Sequence, residues 1–326
     1  MKRMSNDVVI TGVRGFVGRN LRQYLSKHSD LKLTGASRDK SALESHKKDL
    51  DSICSYDDIY EGNHQFDAYV HLAGKVIGIV KKGGEDEYYK VNFEQTKKIF
   101  DRFLEDPKAR KFIFVSTIHV LTEKPDRILD ENYPPKPFTP YGKSKFLAEN
   151  YIKEHCTGDK RYYILRPSMI HGPGNKGNLN LLYGLISKGL PYPIGKINNK
   201  RSFVSIDNFS FIVKEILSNE IKPGLYHIAD DDPTYTHDLI HLIASEIGVK
   251  ARILNINLDL LKLVAKFGNH LPIPLNEHRL QKLTGDFIVS NEKIKKELGK
   301  ELPVKSVDGI KKTIQSFVGS SKESIV

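Results

Sequence analysis

At 326 residues the chain exceeds what one hydrophobic core usually serves, and with 39% apolar and 28% charged residues it is a globular protein, not a disordered or fibrous one. A net charge of +11 calls for an anionic partner, yet the basic clusters "HKK", "VKK" and "NNKR" lack aromatic interleaving, so phosphate-bearing small molecules are expected and nucleic acid is not. No run approaches the roughly 20 apolar residues of a membrane span, and Ser5, Asn6 and Asp7 interrupt any leader. Cys54 and Cys156 have no metal-ligand spacing, so a cytoplasmic protein with buried, passive cysteines, no bound metal and no membrane insertion is expected.

The first element is "DVVITG", a β-branched run ending in glycine that feeds "VRGFVGRNLRQYLSKH", where Phe16, Val17, Leu21, Tyr24 and Leu25 recur at helical spacing. Apolar runs follow at "LKLTGAS", "DAYVHLAG", "KFIFVST" and "RYYILRPS", separated by helical patterns such as "EDEYYKVNFEQTKKIFDRFLED" and "KSKFLAENYIKEH". This alternation predicts an α/β fold, a doubly wound parallel sheet of the Rossmann type with helices on both faces. The expected organisation is a dinucleotide-binding unit over residues 1–168, to which segments around 200–230 return, and a mostly helical substrate lid over 169–326 that begins with the loop "HGPGNKGN". Near its end "LDLLKLVAKFGNHL" reads as an amphipathic helix packed against the lid.

The turn "TGVRGFVG" places Gly12, Gly15 and Gly18 between a predicted strand and a predicted helix, where backbone N–H groups and the positive helix end can face a pyrophosphate. With Phe16 and Val17 these residues form the expected cofactor turn. At the end of the second strand, "GASRD" presents Ser37 and Arg38 before Asp39. A hydroxyl and a guanidinium suit a 2′-phosphate, so NADP is favoured; a small shift of the alignment would give Asp39 the ribose and make NAD possible.

In "YGKSK", Tyr141 and Lys145 fall at i and i+4 of a predicted helix that follows "PPKPFTP", so both side chains share one face. A phenol titrates at ~10, but a nearby ammonium and a positively charged nicotinamide ring would favour the phenolate and make a usable proton donor and acceptor. Thr117 ends the strand "KFIFVST", at the sheet edge where such folds hold ligands, and Ser116 stands ready to support it.

Together these segments resemble the extended short-chain dehydrogenase/reductase superfamily, in particular its nucleotide-sugar epimerases, dehydratases and 4-keto reductases. The resemblance runs through "TGVRGFVG", "VHLAG", "VNFEQT", "FVSTIHV", "PYGKSKFLAE", "LRPSMIHGPGNKGN", "RSFVSIDN" and "VSNEKIKKELG". It implies that Thr117, Tyr141 and Lys145 are catalytic, with Lys145 also on the nicotinamide ribose. It implies that Leu72, Ala73, Gly74 and Asn92 line or brace the cofactor and that Pro167, within the loop Arg166 to Ser168, passes the nicotinamide. Matching substrate positions are Asn178 and Arg201, with Arg279 near a diphosphate. A homodimer through the helices around Asn92 and Tyr141 is also implied.

Two departures from the family pattern bear on the reaction. Dehydratases of the superfamily follow the strand-end threonine with an acidic pair, whereas this chain has Ile118 and His119, which disfavours dehydration. The usual Val-Tyr-Gly of that motif is replaced by "VLT", which alters the expected sugar pocket. The resulting expectation is reduction at C4 of a UDP-4-keto-6-deoxy(-amino) sugar in polysaccharide biosynthesis. The alternatives are a UDP-hexose or UDP-N-acetylhexosamine 4-epimerase retaining NAD, and a non-catalytic cofactor-sensing or RNA-associated protein of the same fold.

Overall fold

The computed structural model describes residues 6–39, 41, 43, 48–76, 84–175, 177–192, 198–267, 280 and 284–323. In chain order, the first half contains β1 (Asp7–Thr11), α1 (Phe16–His28), β2 (Lys32–Ser37), β3 (Ser52–Ser55), α2 (Tyr56–Tyr60), β4 (Ala68–His71), α3 (Asp86–Tyr89), a π-helical turn (Lys90–Glu94), α4 (Gln95–Glu105), β5 (Lys111–Val115), a 3-10 turn (Ile118–Val120), α5 (Pro140–His155) and β6 (Arg161–Pro167). The second half continues with β7 (Met169–His171), α6 (Asn178–Ser187), β8 (Lys200–Arg201), β9 (Phe203–Ser205), α7 (Ile206–Ser218), β10 (Gly224–Ile228), β11 (Thr234–Tyr235), α8 (Thr236–Glu246), α9 (Leu258–Phe267), α10 (Glu292–Leu298) and α11 (Ser306–Glu323).

Seven strands pair in the order β10-β6-β5-β4-β1-β2-β3, and every pair in this sheet is parallel. The sheet is therefore the doubly wound Rossmann type that the βα alternation predicts. Helices cover both faces, which is why the central strands β4 and β5 are buried along their whole length and read as continuous apolar runs. The two-residue period of each strand divides the core. Val8 and Ile10 of β1 point to one side, against Leu21 and Leu25 of α1 and Phe209, Ile212 and Ile216 of α7. Val9 points to the other, with Tyr69, Phe112 and Phe114, against Ile99, Phe100 and Phe103 of α4 and Ala148 and Ile152 of α5.

A third apolar cluster joins α6, α8 and α11 through Leu179, Ile186, Leu239, Ile243, Ile310 and Ile314. α9 packs as the tail pattern predicts, inserting Leu261 and Ala265 against Leu280 with Tyr192 alongside. Cys54 is buried as expected, but Cys156 at the end of α5 is only half-buried, its thiol donating to the Lys160 carbonyl at 3.6 Å. No helix among the described residues is long and apolar enough to cross a membrane, and no group of metal-ligating side chains occurs among them.

Candidate active site

The glycine turn is built by close approach. Gly12 has φ +71°, in the left-handed region that favours glycine, and a side chain there would meet the Ala73 backbone nitrogen at 2.8 Å. A Cβ on Gly18 would stand 2.3 Å from the Gly12 carbonyl oxygen, so α1 is pressed onto the turn. Gly15 is exposed and a Cβ there would meet only the Gly12 carbonyl oxygen, at 3.3 Å. It begins α1 without a side-chain cap and without an acidic residue in the first turn, so the positive helix end remains open to an anion. Phe16 and Val17 are half-buried and pack onto the main core, fixing that first turn in place.

At the end of β2, Ser37 is half-buried and Arg38 exposed. The Asp39 carboxylate accepts the Ser41 backbone N–H at 3.0 Å and the Ser41 hydroxyl at 2.6 Å, so it closes its own turn. Tyr56, buried beneath the glycine turn, has its phenol pushed up by burial, opposed by a hydrogen bond from Gly12 and by the Arg38 charge.

Leu72, Ala73 and Gly74 follow β4 and pass the same turn. Asn92 lies in the π-helical turn and is fully buried. Its amide is fully used: Oδ1 accepts the Lys75 N–H at 2.7 Å, and Nδ2 donates to the Lys75 carbonyl at 3.0 Å and to Ser144 Oγ at 3.1 Å. A Cβ on Gly74 would come within 3.0 Å of Lys145 Nζ and 3.1 Å of Asn92 Oδ1. Asn92 thus clamps the loop after β4 onto α5.

α5 begins sharply because Pro140 sits at its start and Thr139 caps it, accepting the Gly142 N–H at 3.1 Å. Gly142 lets the helix approach the His119 carbonyl, which a Cβ would meet at 2.6 Å. Tyr141 and Lys145 consequently face the end of β5. The Tyr141 phenol is close enough to the Thr117 hydroxyl to be influenced by it, and Thr117 caps the 3-10 turn by accepting the His119 N–H at 3.3 Å. Lys145 Nζ donates to the Val115 carbonyl at 3.0 Å and lies 4.7 Å above the Phe114 ring.

Burial lowers the Lys145 ammonium to about 8, partly offset by the Glu149 carboxylate one helical turn on. Burial also raises the Tyr141 phenol above its ordinary value, with the Thr117 hydroxyl pulling it down and Tyr88 adding to the rise. Desolvation is the largest of these influences, so it holds the phenol in its protonated form.

Ser116, next to Thr117 in the chain, is held in a buried network. Its hydroxyl donates to Glu149 Oε1 at 2.5 Å, and Arg166 forms a bidentate pair with the same carboxylate, from Nε at 2.9 Å and from a terminal nitrogen at 2.5 Å. Pro167 ends β6 beside it, buried. The next hydroxyl, on Ser168, is buried without a partner among the described residues. Asn178 begins α6, exposed, and Arg201 lies half-buried on β8; neither has a hydrogen bond to the Thr117, Tyr141 and Lys145 group among the described residues. Arg279 lies outside the described residues. His119 is exposed, its ring 6.1 Å from that of Phe287.

Thr11, His71, Thr96, Ser144 and Glu149 do not emerge as site residues from the sequence, although all five lie inside the quoted motifs. Their partners are 17 to 62 positions away, except where a helix brings them together. An open cradle at Gly12 and Gly15, an uncapped helix end, a buried ammonium and an orphaned hydroxyl at Ser168 together fit a dinucleotide.

The chain is 28% identical to a UDP-glucose 4-epimerase of Vibrio cholerae over 97% of each chain. It is 24% identical to a GDP-6-deoxy-D-mannose reductase of Pseudomonas aeruginosa over 77% of this chain and 83% of the relative. Among solved structures, a UDP-glucuronic acid 4-epimerase from Bacillus cereus in complex with NAD superimposes with a TM-score of 0.75 at 19% identity, over 96% of this chain and 99% of that one. Residues 8–229 match the model of the NAD dependent epimerase/dehydratase family, and the chain belongs to that family of extended short-chain nucleotide-sugar enzymes.

Proposed function

We propose that the chain reduces the C4 carbonyl of a UDP-linked 4-keto-6-deoxy(-amino) sugar, with NADPH as reductant. The observation that carries this reading is the end of β2. The Asp39 carboxylate is engaged by Ser41, and Ser37 and Arg38 precede it at the strand end, a hydroxyl and a guanidinium that suit a 2′-phosphate.

Gly12, Gly15, Phe16, Val17 and Gly18 would cradle the pyrophosphate, Leu72, Ala73, Gly74 and Asn92 the wall beside it, and Pro167 the nicotinamide. When bound, the reduced cofactor supplies a hydride to C4. Tyr141, kept protonated by burial, gives its proton to the sugar O4, and Thr117 holds that oxygen in line with its hydroxyl. Lys145 holds the ribose hydroxyls and steadies the phenolate left on Tyr141. Ile118 and His119, in place of carboxylates, leave water elimination without its acid and base. Asn178 and Arg201, with Arg279 beyond the described residues, are assigned to the nucleotide sugar. The same reading places a cytoplasmic homodimer on α4 and α5, where Leu147 is 41% exposed.

A 4-epimerase with retained NAD is the second reading, favoured by the full-length similarity to the Vibrio cholerae enzyme. The two separate on the cofactor. Protein purified without added dinucleotide is denatured and its released cofactor identified, then fresh protein is given NADPH and a UDP-4-keto-6-deoxy-amino sugar. Stoichiometric loss of NADPH absorbance supports the reductase. Released NAD, with UDP-hexose epimers interconverting and no net oxidation, overturns it in favour of the epimerase.

A further inference from the structure

His71 ends β4 beneath the candidate site and is fully buried, between the rings of Phe112 at 6.2 Å and Phe114 at 6.0 Å. Both ring nitrogens have a partner: Nδ1 lies 2.8 Å from Thr11 Oγ1, and Nε2 lies 3.0 Å from Thr96 Oγ1. The hydroxyls decide which nitrogen carries the hydrogen. Thr96 spends its one proton on the Asn92 carbonyl at 2.7 Å, so toward His71 it only accepts, and Nε2 carries the hydrogen. Nδ1 is then bare and accepts from Thr11, whose oxygen accepts the Ala73 N–H at 3.2 Å. The chain ends at the Asn92 backbone carbonyl; separately, the Asn92 side chain donates from Nδ2 to Ser144 Oγ, and Ser144 donates to the Tyr141 carbonyl at 2.9 Å.

We propose that His71, fixed as the Nε2–H tautomer, is a positioning residue that sets the glycine turn and the Ala73 wall against the Asn92 clamp and the helix bearing Tyr141. The chain starts at the Ala73 N–H and ends at the Asn92 carbonyl, with every proton in it running one way, and the Asn92 side chain ties that end to Ser144 on the helix bearing Tyr141. Reversing one member leaves two donors or two acceptors facing each other in the interior, so the two sides of the cofactor bed are locked to one register. From β4, His71 bonds β1 through Thr11 and α4 through Thr96, and Thr96 carries the link to the Asn92 carbonyl in the π-helical turn. Burial, with the Lys145 charge as a lesser cause, pushes its imidazole down to about 3, so the ring keeps one hydrogen across the physiological range. The inference rests on the dinucleotide site proposed above but not on the direction of the reaction.

Thr96→Val and Thr96→Ser separate this role from simple packing, because valine keeps the shape and serine keeps the hydroxyl. Calorimetric titration of the whole protein with NADP and with NAD should show affinity falling about tenfold in Thr96→Val and returning to within about twofold in Thr96→Ser. Loss of melting temperature in Thr96→Val with an unchanged dissociation constant would overturn the proposal. A parent protein that binds neither dinucleotide would refute the functional reading instead. The tautomer is then read directly by two-bond proton–nitrogen NMR of the histidine side chains in the uncomplexed protein. The proposal requires a protonated Nε2 and a bare Nδ1 at His71, unchanged from about pH 5 to about pH 8, and a protonated Nδ1 or a titrating ring contradicts it.

Discussion

At Tyr141 two effects oppose each other, since burial makes the phenolate costly while the Thr117 hydroxyl favours it, and burial wins. The residue therefore rests as a proton donor, which suits protonation of a sugar oxygen. Tyr141→Phe should lower turnover by at least ~10²-fold while leaving dinucleotide affinity within about twofold, as steady-state kinetics and calorimetry would show; unchanged turnover would remove Tyr141 from proton transfer. Lys145 gives a pH dependence whose sign follows from its shift. Its folded value, about 8, lies below the ordinary lysine value, so the ammonium is present below about 8 and lost above it. Burying that charge costs stability in full below about 8, and the cost is relieved progressively as pH rises from there to the ordinary lysine value of 10.5. Dinucleotide affinity should fall as pH rises through about 8, and Lys145→Met should bind weakly with that fall absent. A break displaced to the ordinary lysine range would show that the ammonium is not buried as described. Arg38→Ala should weaken NADP by at least ~10-fold and NAD by less than about twofold in competitive binding, and equal losses would undo the 2′-phosphate assignment.

Among the elements, α5 does most of the positioning, presenting Tyr141, Ser144, Lys145 and Glu149 along one side. Glu149 is a carboxylate with no exposure, held by Arg166 at 2% exposure and by Ser116. Removing one partner strands the other's charge in the interior, so Glu149→Ala should cost about 3–5 kcal/mol in denaturant unfolding. A cost under about 1 kcal/mol would mean that water reaches Arg166. The elements also show what the sequence could reveal. β1, β4, β5 and β6 were legible as mostly buried apolar runs, β2 as a shorter and only partly buried one, and α1 and α5 because their apolar residues recur at helical spacing. β3 was not, since four residues, "SICS", carry neither a run nor an alternation. The π-helical turn around Asn92 was also hidden, because one extra residue per turn leaves no period to read in so short a stretch.

For the whole molecule, the order of strands explains the convergence of the site. β1, β4, β5 and β6 are neighbours in the sheet, so the glycine turn, the loop after His71, Thr117 and Pro167 all emerge along one edge although they span residues 12 to 167 of the sequence. That much of the site could be anticipated from motifs at strand ends. The links beneath it could not, because Thr11, His71 and Thr96 meet only once the chain is folded, and nothing in their spacing announces a shared hydrogen-bond chain. The basic net charge of +11 finds its use in this frame as attraction for a dinucleotide and a nucleotide sugar, both polyanions.

The central claim is that hydride moves from the cofactor to sugar C4 in net reduction, and isotope transfer tests it most directly. NADPH deuterated at the transferred position is supplied with a UDP-4-keto-6-deoxy-amino sugar, and the product is analysed by mass spectrometry and NMR. The account predicts one deuterium at C4 per NADPH consumed. A C4 epimer formed without deuterium, while NADPH stays unoxidised, would contradict it.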